Sequence, residues 1–101
     1  MYLIKNLEVI QLHPTLKRVV NWVSEEFGLY VVTSAYRPGD PGVHGTMPVR
    51  GLDMRCRDQR VGLTIADEVN KKFTYDSERP DKKVAIWHKL HLHLQVHRNT
   101  V

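Results

Sequence analysis

Residues 88–97 read HKLHLHLQVH and hold four of the chain's six histidines. Successive side chains of a strand point to opposite faces. A strand here places Leu90, Leu92, Leu94 and Val96 on one face and His91, His93, Gln95 and His97 on the other. The apolar face suits a half-buried strand. The polar face repeats imidazole, the commonest metal ligand and the usual acid or base near neutral pH. A solvated face that happens to be rich in histidine is the plain alternative. Two further segments supply groups of the same chemistry. His44 lies in RPGDPGVHGTMP and Asp53 in RGLDMRC. Two imidazoles and a carboxylate, with a fourth position left for water, make a catalytic zinc site. The donors are too widely spaced for a zinc finger, and the single Cys56 excludes a thiolate-rich site.

Elements must carry these groups to one place. HPTLKRVVNWVSEEFG repeats Leu12, Leu16, Val19, Val20, Val23 and Phe27 at spacings of three and four, which predicts a helix. Pro14 suits its first turn and Gly28 its end. LYVVTS (29–34) reads as a strand, being β-branched and aromatic. Residues 37–48 hold three prolines and three glycines and read as a loop. Within 50–56 a short strand sends Leu52 and Met54 one way, Asp53 and Arg55 the other. DQRVGLTIADEVNKKF predicts a second helix, capped by Asp58, with Leu63 or Ile65, then Ala66, Val69 and Phe73 on its inner face. TYDSERPDKK is a turn-rich excursion. VAIW (84–87) and the histidine segment are strands joined by a tight turn near Lys89. The order is α-β-loop-β-α-β-β. Few helices and adjacent final strands predict an α+β fold with a small antiparallel sheet and helices packed on one side, in one domain over 1–101.

Composition narrows the function classes. The chain is 42% hydrophobic and 26% charged, as folded domains are. It has no transmembrane run, and its first residues mix Lys and Glu into an apolar stretch, unlike a secretory signal. The net charge is +4 and the isoelectric point about 9.4. Nucleic acid, an anionic cell wall and simple solubility all fit that charge. The basic residues are scattered and not interleaved with aromatics, which argues against nucleic acid.

The segments SAYR (34–37), GVHG (42–45), RGLDMR (50–55) and HLHLQV (91–96) resemble, in order and context, the zinc D-alanyl-D-alanine carboxypeptidases and the related phage endolysins that cut peptidoglycan peptides. The Hedgehog signalling domain shares their fold. The similarity spans about residues 29–96. It implies that His44, Asp53 and His93 hold zinc, that His91 is the general base or transition-state stabiliser, and that Arg37 grips a substrate carboxylate or carbonyl. His44 and Asp53 stand nine positions apart, two more than the family usually has, and His91 replaces the carboxylate base of many relatives. The expectation is a monomeric zinc peptidase of peptidoglycan stem peptides, made without a signal peptide and reaching the cell wall after release or lysis, with no membrane insertion.

Two rivals stay open. One is a non-catalytic metal-binding relative that serves as a binding module. The other is an HUH-type single-strand DNA endonuclease, whose paired histidines hold a metal while a Tyr attacks phosphate. No Tyr follows HLH here. Of the remaining residues, His13 reads as a helix-start residue, and His88 and His97 as surface or supporting residues. Trp22, Tyr30 and Trp87 read as core, Cys56 as a packed thiol, and Asp53 on the plain reading as an ion-pair partner of Arg50 or Arg55.

Overall fold

The computed structural model describes residues 3–4, 12–29, 31–34 and 50–101. Seven elements run β1 (Leu3–Ile4), α1 (Pro14–Phe27), β2 (Val31–Ser34), β3 (Gly51–Arg55), α2 (Gln59–Lys72), β4 (Ala85–His88) and β5 (His91–Gln95). The strands form one sheet in the order β1-β2-β3-β5-β4. The β2–β3, β3–β5 and β4–β5 pairs are antiparallel, and β1 lies parallel to β2. This is the α+β class that the element order implies. The strand β1 was not expected, because two residues carry no periodicity to read. Among the described residues no helix is long and apolar enough to cross a membrane.

Both helices begin and end on local chemistry. The His13 imidazole accepts the Thr15 N–H at 3.2 Å ahead of Pro14, so His13 is the N-cap of α1. Gly28 closes that helix at φ 73°, the left-handed region where a residue without Cβ is unstrained, and donates its N–H to the Ser24 carbonyl. The Asp58 carboxylate caps α2 by accepting the Val61 N–H at 3.0 Å. Lys71 and Lys72 complement the negative end of the same helix.

The inner faces of the helices meet one face of the sheet. Leu16, Val19, Val20 and Val23 of α1 join Leu52 and Met54 of β3 and Leu92 and Leu94 of β5 in the core. On α2 the inward residue is Ile65, 1% exposed, while Leu63 is 51% exposed. That settles the choice the sequence leaves open. Trp87 lies across Gly62 of α2, and its indole N–H donates to the Cys56 carbonyl at 3.0 Å. Cys56 is buried, and burial pushes its thiol above the ordinary value, with the Asp58 charge adding to the effect. It packs, as expected, and is no activated nucleophile.

The start of the sheet edge at β4 is capped by a side chain. The Asn70 amide oxygen accepts the N–H groups of Val84 and Ala85, each at 3.0 Å, and its nitrogen donates to the Ala85 carbonyl at 2.9 Å. A helix residue thus takes the hydrogen-bonding place of a further strand.

The hairpin of β4 and β5 turns through Lys89 and Leu90, and Lys89 holds φ 55°. This corrects one expectation. Leu90 does not continue the apolar face of the last strand; it sits in the turn and is 53% exposed. Alternation begins only at His91, where pairing with β3 and β4 begins.

Candidate functional site

Register sets the site. On β5, Leu92 and Leu94 are buried while His91, His93 and Gln95 are partly exposed on the opposite face. On β3, Leu52 and Met54 are buried while Asp53 is partly exposed and Arg55 exposed. Antiparallel pairing places Asp53 directly opposite His93, and Arg55 opposite His91. From the other side, β4 sets Ile86 beside His93 and His88 beside His91. The face away from the helices therefore carries a polar row built from three strands. A further irregularity adjoins it. Between Val32 and Ser34 the β2–β3 register slips, so that Ser34 rather than Thr33 pairs with Asp53. Such bulges bend a strand and re-aim the side chains beside it.

The central contact lies between residues 40 apart in sequence. His93 Nδ1 stands 2.9 Å from Asp53 Oδ1, with the two side chains 22% and 15% exposed. This is a short, charge-assisted bond when the ring is protonated. The other ring nitrogen, Nε2, lies 3.2 Å from Oε1 of Gln95. Gln95 in turn donates through Nε2 to the Lys83 carbonyl at 2.8 Å. Among the partners of Asp53 is thus His93. His91 lies two positions from His93 on the same face, about 7 Å along the strand.

Comparison with protein-family models, with curated proteins and with solved structures found no match to this chain.

The spacing of the donors bears on zinc. Two donors on one tetrahedral zinc, each about 2.0–2.2 Å from the ion, stand roughly 3.3 Å apart. Nδ1 of His93 and Oδ1 of Asp53 are 2.9 Å apart, so a small widening seats both on one ion. As a pair they fit. Among the described residues no group of three or more His, Cys, Asp or Glu side chains is placed to hold a metal. The third expected ligand, His44, and the expected substrate grip, Arg37, lie outside the described residues, as does Tyr30.

The other histidines take separate roles. His13 is a helix cap. His88 is exposed at the hairpin, opposite His91. His97 belongs to a second cluster beyond the end of β5. Its ring lies 5.7 Å from that of Tyr75, and its Nδ1 is 3.9 Å from the buried Asp76. Gln95 is the residue that the sequence reading passed over as a mere member of the polar face. Its place at i+2 from His93 was the available signal.

Proposed function

We propose that this chain is a zinc-dependent peptidase acting on peptidoglycan stem peptides, with Asp53 and His93 as two of the metal's ligands. The observation that supports the reading is the 2.9 Å contact between an imidazole and a carboxylate on a sheet face that also carries His91. The motif similarity around SAYR, GVHG, RGLDMR and HLHLQV supplies the rest: His44 as the third ligand and Arg37 as the substrate grip. When bound, zinc supplies a Lewis acid and a water acidified toward neutrality. Asp53 and His93, which face each other across β3 and β5, would hold the ion between them. His91 takes a proton from the attacking water and returns it to the leaving amine. The guanidinium of Arg37 orients the peptide through a carboxylate or carbonyl, a task suited to its planar fork.

A non-catalytic binding module is the second reading. The same contact suits it, since an imidazole and a carboxylate at 2.9 Å also form a hydrogen bond that ties β3 to β5. Metal content together with muropeptide cleavage separates the two. Mass spectrometry of the purified protein should give about one equivalent of zinc, as a site with three protein ligands holds. Asp53→Ala and His93→Ala should each lose most of it while the apolar core keeps the chain folded. Wild-type protein with less than about a tenth of an equivalent, and no muropeptide cleavage on adding zinc, would end the peptidase reading.

A further inference from the structure

Four cations that are scattered in sequence, Arg55, Arg57, Arg60 and Lys89, meet at one end of the sheet. Arg55 ends β3 opposite His91, which in turn lies opposite His88. The Cys56 N–H donates to the Leu90 carbonyl at 3.0 Å, so the turn at Lys89 and Leu90 abuts the chain that runs on through Arg57 into α2. Trp87 lies across Gly62 and binds the Cys56 carbonyl, which holds the first turn of α2, with Arg60, against the same hairpin. All four cations and His88 are exposed. Among the described residues none of the four has an ion pair, whereas Lys71 pairs with Asp67 and Glu68, and Arg79 with Asp76. The one carboxylate within residues 55–60 and 88–91 is Asp58, and it accepts the Val61 N–H. The whole chain carries a net charge of +4, so most of its excess is gathered here.

Aliphatic side chains stand among these cations. Val61, Leu63 and Leu90 are each half-exposed. Arg57, Arg60, Val61 and Leu63 line one surface recess, and Leu90 follows Lys89 at the tip of the hairpin. Ile86 is exposed on the same hairpin, and of the exposed large hydrophobic residues described only Val101 lies elsewhere. A partner that is merely anionic, such as a nucleic acid, gives these groups nothing. Its bases would need an exposed aromatic to stack on. Trp87, the described aromatic at this end, is laid against Gly62 instead. A lipid surface supplies both halves of the contact: headgroup phosphates for guanidinium and ammonium, and the acyl boundary for leucine and valine. We infer that the hairpin tip and the first turn of α2 dock together on an anionic membrane surface, lying on it without crossing it. This inference does not rest on the zinc reading above.

Sedimentation with vesicles tests this at physiological salt, comparing phosphatidylcholine alone with equal parts of phosphatidylcholine and phosphatidylglycerol. The wild type should sediment with the anionic vesicles and stay free of the neutral ones. R57Q/R60Q/K89Q should bind the anionic vesicles about fivefold more weakly for each cation lost, the scale of one Lys or Arg at such a surface. L63S/L90S should weaken the same binding about tenfold, since two leucines lose their apolar contact. Urea midpoints check that the variants fold; should either fail, R57Q/R60Q and L90S carry the same expectations on a smaller scale. A wild type that ignores the anionic vesicles overturns the proposal. So does binding that falls in R57Q/R60Q/K89Q but not in L63S/L90S, with a single-stranded DNA oligonucleotide bound as tightly as the vesicles. That result would make the surface a site for nucleic acid instead.

Discussion

His91 and His93 share a strand face, yet their surroundings differ. His93 has a carboxylate at one nitrogen and an amide oxygen at the other. His91 stands between Arg55 of β3 and His88 of β4. That difference supports the division of labour proposed for them, His93 on the metal and His91 on the proton. His91→Ala should keep zinc near one equivalent while muropeptide hydrolysis falls by about 10²–10⁴-fold, the usual scale for loss of an acid or base. Loss of the metal in His91→Ala would instead make His91 a ligand and the site a closed structural one. Part of this was legible from sequence. The parity of HLHLQ places His91, His93 and Gln95 on one side, and the parity of GLDMR does the same for Asp53. Parity cannot say which residue of one strand lies opposite which of another. That register joins Asp53 to His93 across 40 positions, and it comes from the folded sheet. The Gln95 contact is illegible for the same reason: its partner Lys83, 12 positions away, contributes a main-chain carbonyl and not a side chain.

The helices and strands were more legible than the contacts they make. Both helices announce themselves by spacing and by caps, at Pro14, Gly28 and Asp58, because these depend on neighbours in sequence. The short β1 and the turned-out Leu90 depend on pairing partners and on a left-handed Lys89, and neither leaves a local pattern. Gly62 shows the same limit inside α2. By propensity alone, alanine there would favour the helix by about 1 kcal/mol. A methyl group at that position, however, overlaps the Trp87 indole, and the indole is pinned by its bond to the Cys56 carbonyl. Overpacking of this kind costs about 1–3 kcal/mol, and a ring with no room to retreat lies at the upper end. Gly62→Ala should therefore destabilise the fold by about 2 kcal/mol net, read as a lower urea midpoint with an unchanged slope. An unchanged or higher midpoint would mean that Trp87 moves freely and does not fix the distance between α2 and β4.

At the scale of the whole molecule, the C-terminal segment is clasped to the chain that follows α2. Thr74 and Val101 exchange two backbone hydrogen bonds, and the buried Thr100 hydroxyl donates to the Tyr75 carbonyl. Asp76 lies at the centre of this clasp. The Glu78 N–H holds its carboxyl below the ordinary carboxylate value against the opposing effect of burial, with Asn99, His97 and Arg79 adding smaller contributions. A group depressed on folding contributes stability above its unfolded value and loses it as pH falls through the folded one. Near neutrality the contribution of Asp76 to wild-type stability should thus be present in full and not vary with pH, and it should be lost as pH falls below about 4. Asp76→Asn should be less stable than wild type at pH 7, with the gap narrowing in acid, as measured by denaturant unfolding at both values. A gap that stays constant would assign the loss to shape rather than charge. Asn70 bears on the molecule in company rather than alone. A sheet ends where its last strand offers main-chain groups to whatever comes next, and another chain can accept that offer repeatedly, one copy upon another. At Val84 and Ala85, α2 fills those groups with its own amide. The asparagine thereby withholds the first main-chain groups of that edge from a second copy of the chain.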